Sequence, residues 1–206
     1  MRRCVAVFDF DGTLTRCDTL PRFIRFACGP WRFCAGFLLF SPLLVLMRLR
    51  LYPNWRAKQR LFAYYFRGMD YERFAGLGRR FADVVERFRR KEATDLMQQY
   101  VSSGAAVYVI SASIEEWVRP WCEQQGVDGV LCTMVEVGDD RRLTGRLNTP
   151  NCYGQEKVNR LLEVEPQRQG YTLHAYGDSR GDRELIAFAD KGCYVNGGMG
   201  GRCLFP

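Results

Sequence analysis

The sequence predicts an α/β fold with a parallel sheet, on three observations. Short apolar runs without a helical stripe occur at residues 4–8, 105–110 and 171–176, the pattern of strands buried on both faces. Segments of helical period separate the later runs, so strand and helix alternate through the second half of the chain. Each run ends in acidic or small polar residues: Asp9-Phe10-Asp11-Gly12, Ser111-Ala112-Ser113 and Gly177-Asp178. In open parallel sheets, ligands bind outside the carboxyl ends of the strands.

Taken in order, the run at 4–8 fits a buried strand. Asp9 and Asp11, two apart, project to the same side, while Phe8 and Phe10 take the other. Gly12 allows a sharp turn. Two carboxylates held close are costly unless a cation lies between them or one is protonated. An ordinary strand with an Asx turn would show the same residues. A calcium loop would not, because its glycine stands sixth and a glutamate twelfth, whereas Gly12 is fourth counting from Asp9.

Residues 20–28 read as a short helix ended by Gly29-Pro30. Residues 33–47 carry no charge and are bracketed by Arg22, Arg25 and Arg32 on one side and Arg48 and Arg50 on the other. A hydrocarbon core needs roughly 20 residues, so this stretch is not expected to span. Ser41-Pro42 reads as a cap and first turn, which predicts two short apolar helices with a bend. They either dip into one leaflet or pack inside the attached helices. Helices follow at 55–66 and 71–91, and the stripe Tyr71, Phe74, Phe81, Val84, Val85, Phe88 reads as core rather than as a base-stacking platform. A helix from 93 ends near Ser102, before Gly104, and another covers 114–125. Residues 130–137 and 142–147 read as strands around a turn at 138–141. A helix at 154–163 carries Lys157, and the polar loop from Gly177 to Asp182 leads into a helix at 184–188. The glycine-rich tail, 197–206, is expected to be loose.

A chain of 206 residues, 47% hydrophobic and 26% charged, suits one α/β domain with a smaller attachment. Nine cysteines without a C-x-x-C spacing indicate neither a zinc knuckle nor a disulfide framework, and they read as thiols. Asp9 interrupts the first apolar stretch before it reaches signal length, so a cytoplasmic location is expected. The net charge of +7 is uneven. Between Arg16 and Glu92 stand 17 Lys and Arg against 6 Asp and Glu, an excess of +11, which leaves −4 for the remainder. Such a basic segment suggests a polyanionic partner: anionic lipid, a phosphorylated substrate or nucleic acid. No recognised nucleic-acid motif supports the last, so no nucleic-acid partner is expected.

Asp9, Asp11, Ser111, Lys157, Asp178 and Asp182 together supply what phosphoryl transfer needs: a nucleophile, a proton donor, hard ligands for a divalent cation and donors for phosphate oxygens. In order and spacing they resemble the haloacid dehalogenase superfamily, whose phosphatases show D-x-D-G-T after the first strand, Ser or Thr after the second, then Lys, then an acidic G-D-S-x-x-D loop. The insertion between the first two motifs is similar to the helical cap of the phosphoserine-phosphatase-like branch. Asp11-Gly12-Thr13-Leu14 followed by Asp18, the apolar stretch, Gly154-Gln155-Glu156-Lys157 and Gly177-Asp178-Ser179 look most like the bacterial phosphatidylglycerophosphate phosphatase C type. Phosphoserine phosphatases usually have glutamate at the place of Asp18, which weighs against phosphoserine. Dehalogenases lack the second aspartate, so Asp11 weighs for phosphate chemistry.

The resemblance implies a Rossmann-like three-layer core with a parallel sheet, residues 1–15 and 93–206, and a helical cap, residues 16–92, inserted between the first and second motifs. It implies that Asp9 attacks phosphorus and that Asp11 serves as acid and base. Mg²⁺ would be held by Asp9, Asp178 and the Asp11 carbonyl. Ser111 and Lys157, with Gly12 and Thr13, would surround the phosphate. Asp182 would support the metal or Lys157, and Asp18 would face the substrate from the cap. The implied substrate is a phospholipid phosphate such as phosphatidylglycerophosphate, reached from the inner face of the membrane. A small soluble phosphate ester is the alternative, and an idle basic module binding membrane or nucleic acid is a third reading. The triplet Arg180-Gly181-Asp182 also matches a cell-adhesion tripeptide, for which a cytoplasmic protein has no role.

Overall fold

The computed structural model describes residues 2–49 and 51–195. Its centre is β1 (Arg3–Phe8), whose residues Val5, Ala6, Val7 and Phe8 are fully buried. β1 lies between β2 (Ala106–Ile114) and β6 (Tyr171–Gly177), with β3 (Gly129–Thr133) and β7 (Lys191–Tyr194) at the edges, all parallel. The period-2 alternation sorts side chains between two cores. Ala6, Phe8, Val107 and Val109 join Trp117, Trp121 and Met97 on one face, while Val5, Val7, Leu173 and Ala175 join Val158, Leu161 and Leu185 on the other. The first face is covered by α4 (Lys91–Ser102) and α5 (Glu115–Gln124), the second by α6 (Gln155–Val164) and α7 (Arg183–Phe188). The expected α/β layering with a parallel sheet is what the structure shows.

Between β1 and β2 run α1 (Thr19–Arg48), α2 (Asn54–Phe66) and α3 (Tyr71–Glu86). α1 begins against the core, where Phe23 stacks on Trp117 at 4.5 Å. It kinks at Gly29, which has φ +79°, so the helix boundary expected there is present. The bend expected at Ser41-Pro42 is absent, and α1 runs through to Arg48. Pro42 cannot donate to the Leu38 carbonyl, but the Ser41 hydroxyl does so at 2.8 Å, which satisfies that carbonyl inside the helix.

Other expectations are corrected. The helix expected at 71–91 ends at Glu86, because residues 88–90 pair with 14–16: Arg16 N donates to Phe88 O at 2.9 Å and Arg90 N to Leu14 O at 2.7 Å. The strand expected at 130–137 is two strands. β3 belongs to the main sheet, and beyond Met134 the chain leaves it as β4 (Val135–Val137), paired antiparallel with β5 (Leu143–Leu147). β7 was not foreseen, since four residues containing Gly192 show no strand period. Among the described residues seven cysteines are free thiols as expected, whereas Cys193 is disulfide-bonded. The loose tail expected at 197–206 lies outside the described residues.

Candidate active site

β1 ends at the point where its neighbours diverge to either side, β2 on one and β6 on the other, and such a switch point opens a crevice. A cavity of about 370 Å³ lies there, lined by Asp9, Asp11, Gly12, Ser111, Lys157 and Asp178 from the sheet end and by Arg16, Asp18, Asn54, Lys58 and Arg90 from the helical insertion and its flanks. A larger cavity of about 540 Å³ between α2 and β5 holds none of the motif residues.

Asp9 is 5% exposed, and one of its oxygens accepts from Lys157 Nζ at 2.6 Å. Lys157, on the first turns of α6, also donates to Asp182 Oδ1. The other Asp182 oxygen accepts from Asp178 N at 3.2 Å and from Ser179 N and Ser179 Oγ at 3.0 Å each. With both oxygens engaged, Asp182 shapes the loop and fixes Lys157. Its burial also disposes of the cell-adhesion reading of Arg180-Gly181-Asp182. Asp11 Oδ1 accepts from Thr19 N at 3.0 Å, and Oδ2 accepts from the Ser113 hydroxyl. Ser111, 1% exposed, accepts from Ser113 N at 3.1 Å.

Electrostatics follow from that geometry. Burial, then the neighbouring Asp182, pushes Asp9 well above the ordinary carboxylate range. Burial, then Asp18, raises Asp11 to about 6, and burial with Asp182 raises Asp178 to about 6. For Lys157 burial works against the charge, but Asp9 and Asp182 outweigh it and the ammonium is strongly favoured. Carboxylate oxygens of Asp9, Asp178 and Asp182 lie within 4.8 Å of one another, with one buried ammonium among them. That excess of negative charge fits a further cation, and all-oxygen donors suit a hard divalent ion rather than zinc. Asp178 and the second Asp9 oxygen are the atoms available to it, since Asp182 is spent on hydrogen bonds.

Gly12, with φ +76°, brings the first loop against Asp178: a Cβ there would stand 2.0 Å from Asp178 Oδ2. Thr13, expected near the phosphate, is instead fully buried, does not line the cavity, and its hydroxyl is without a partner. Asp18 lines the cavity and also caps α1, accepting from Leu20 N at 2.9 Å. Sequence reasoning missed three groups. Ser113 shares the strand face of Ser111, a signal present in the i, i+2 spacing. Lys58, whose Nζ donates to Ala112 O at 2.6 Å, and Arg90, which donates to Gly12 O at 3.0 Å, come from distant segments without any motif.

Residues 6–187 match the haloacid dehalogenase-like hydrolase family. The chain belongs to that family. It is similar to the protein CicA of Caulobacter vibrioides, 32% identical over 194 residues that cover 92% of this chain and 85% of CicA. Its fold is similar to a structure of a protein of unknown function from Bordetella pertussis Tohama I, with TM-score 0.83, 18% identity and coverage of 95% and 91% of the two chains. A phosphoserine phosphatase from T. onnurineus matches with TM-score 0.65 and 24% identity over 98% of this chain and 88% of that one. The expectation of an enzyme of the haloacid dehalogenase-like hydrolase family is met.

Proposed function

We propose that the protein is a Mg²⁺-dependent phosphomonoesterase working through an aspartyl-phosphate, with a phospholipid phosphate of the phosphatidylglycerophosphate type as substrate. The observation that carries the chemistry is the convergence of Asp9 and Asp11 from one strand end with Lys157, Ser111 and Asp178 in a single cavity. Asp9 forms a bond to phosphorus as the bond to the leaving oxygen breaks, and Asp11 in its protonated form gives that oxygen its proton. Asp11 then takes a proton from water as the water oxygen attacks phosphorus, which frees Asp9 and releases inorganic phosphate. Lys157 orients Asp9 and, with Ser111, meets charge on the phosphate oxygens. Mg²⁺ held by Asp9, Asp178 and the Asp11 carbonyl would lessen the repulsion between carboxylate and phosphate.

Support for a lipid substrate is the exposed apolar side of α1, with Leu38 77% and Leu39 63% exposed, beside a basic segment whose Lys58 reaches the cavity. The same reading places the protein peripherally on an anionic membrane, at its cytoplasmic face. Residues 16–92 act on it as the cap over a core of 1–15 and 93–206. A soluble ester is the second reading, favoured by the phosphoserine phosphatase among the structural neighbours. Phosphate release from micellar phosphatidylglycerophosphate, phosphatidate, phosphoserine and nucleoside monophosphates, with Mg²⁺ and with EDTA, tests both. Turnover of the lipids with Mg²⁺ and none with EDTA is expected. A preference for phosphoserine would establish the second reading, and activity after exhaustive chelation would overturn the metal.

A further inference from the structure

Beyond Gly29, α1 is covered on one side alone. α2 packs there: Tyr65 Oη donates to Phe33 O at 2.8 Å, Phe40 meets Tyr64 at 5.4 Å, and a Cβ on Gly36 would stand 2.0 Å from Tyr65 Oη. The opposite side, with Trp31, Leu38, Leu39, Val45, Leu46 and Leu49, is open to solvent. From Thr19 to Met69 the sequence holds nine Lys and Arg and no Asp or Glu, and Arg22, Arg25, Arg32, Arg48, Arg56 and Arg60 are exposed. This charge decides what covers the apolar side. Two copies meeting there would oppose two segments of nine cations each, whereas an anionic bilayer offers acyl chains to the leucines and negative headgroups to the arginines.

By length and composition α1 could cross a bilayer. Its surroundings forbid it. α2 returns antiparallel alongside, Tyr64 meeting Phe40 and Tyr65 meeting Phe33, and it carries Arg56, Lys58 and Arg60, each costing about 3 kcal/mol at a bilayer centre. Lys58 Nζ is bonded to Ala112 O of β2, and Asn54 and Lys58 line the catalytic cavity. The far end of α1 is therefore tethered to the catalytic rim and not to an opposite membrane face.

We propose that α1 lies in the plane of an anionic membrane surface, its outer side among the upper acyl chains, and holds the cavity mouth at that surface. The proposal rests on the membrane reading above and adds its geometry: a one-sided anchor built from residues 31–49, with the tip of the α1–α2 hairpin at the cavity. A phosphate carried on a lipid headgroup then meets Lys58 without its acyl chains leaving the bilayer.

The test uses the whole chain with vesicles of phosphatidylcholine, alone or with about one third phosphatidylglycerol, and with lipids brominated at shallow or deep acyl positions. Trp31 and tryptophans introduced by Leu38→Trp and Val45→Trp in a Trp31→Phe background report depth, each read as the difference from the Trp31→Phe parent, which keeps Trp55, Trp117 and Trp121. Expected are binding to anionic vesicles at least about tenfold stronger than to phosphatidylcholine, and equal, shallow quenching at all three positions. Leu38→Glu should weaken binding at least about tenfold while p-nitrophenyl phosphate turnover is kept. Deep quenching at position 38 with shallow quenching at 31 and 45 would show a crossing helix and overturn the proposal. So would absence of binding at low salt, or a dimer that Leu38→Glu dissolves. Vesicle binding as described with hydrolysis of soluble esters alone would fail the lipid substrate and keep the anchor. Hydrolysis of phosphatidylglycerophosphate in detergent without vesicle binding would do the reverse.

Discussion

The catalytic rim and the outer side of α1 invert the usual arrangement in opposite senses. At the rim, Asp9, Ser111, Lys157 and Asp182 are charged or polar and almost wholly buried. Along α1, Trp31, Leu38 and Leu39 are apolar and exposed. Each departure has a cost that folding does not require: desolvated charge in the first region, solvated hydrocarbon in the second. The rim offsets its cost internally, since Lys157 binds two carboxylates and Asp182 accepts from a backbone loop. Among the described residues the outer side of α1 has no such partner, and on the reading proposed above its offset comes from the membrane. Mutations at the rim should therefore change chemistry and stability together, and mutations on the outer side of α1 should change neither the stability nor the hydrolysis of a soluble ester.

The sharpest break in that contrast would come from Asp9→Asn, which should reduce phosphate release to background, because an amide cannot form the acyl-phosphate. Asp11→Asn should slow turnover about 10²- to 10⁴-fold, with the deficit largest for substrates whose leaving group is a poor one. Steady-state assays on an alkyl phosphate and on p-nitrophenyl phosphate measure both. Full activity in Asp9→Asn would remove the covalent mechanism.

Next in size is Lys157→Met, which leaves Asp9 and Asp182 without their cation. Removing one partner of a buried ion pair costs about 3–5 kcal/mol, read as a lowered denaturant midpoint. The loss should be smaller in acid, where the carboxylates regain protons. An unchanged midpoint at neutral pH would mean that the rim is not as dry as its burial indicates.

A smaller effect is expected at Glu116, on the α5 side where α3 packs so closely that a Cβ on Gly78 would stand 1.9 Å from the Glu116 carbonyl. Burial pushes Glu116 up to about 7, from 4.5. The folded state holds this proton more tightly than the unfolded one, so stability is fully present below the unfolded value and falls as pH rises toward 7. Glu116→Gln should remove that slope and stabilise by up to about 3 kcal/mol at pH 8. Urea titrations at pH 4.5 and 8 decide it, and a parallel pH dependence in the variant would assign the slope elsewhere.

The smallest change belongs to α1. Replacing Leu38 and Leu39 by Ser should leave the melting curve within about 0.5 kcal/mol of wild type, whereas Phe23→Ala, in the buried half of the same helix, should cost about 3–5 kcal/mol. A large loss in the Leu38, Leu39 variant would mean that this side is packed in solution.

The parts of the site that could be read from the sequence are those that a strand end fixes locally. Asp9 and Asp11 declare their shared side through the i, i+2 spacing, and Asp178 through the polar loop that ends an apolar run. Lys157 could be placed on a helix, though its two partners, Asp9 and Asp182, are set by packing. Lys58 and Arg90 were out of reach, because they arrive from other elements and their neighbours in sequence carry no motif. The fold was legible where hydrophobic period and punctuation agreed, as at Gly29. It was misread where a side chain replaced a backbone bond, as the Ser41 hydroxyl does at Pro42, and where strands changed partners at Met134.

The pairing of residues 14–16 with 88–90 has a consequence for how the chain folds. Thr15 and Arg89 face each other in an antiparallel bridge, so everything between them enters and leaves the sheet domain at one place. β1 and β2, adjacent in the sheet, are separated in sequence by the whole insertion. If α1 to α3 fold first and their ends meet, the loop that must close before β1 and β2 pair shrinks severalfold, a saving of about 1 kcal/mol in closure entropy. Long-range sheet pairing that would slow folding then becomes nearly local, and the length of the insertion can vary without burdening the nucleation of the sheet.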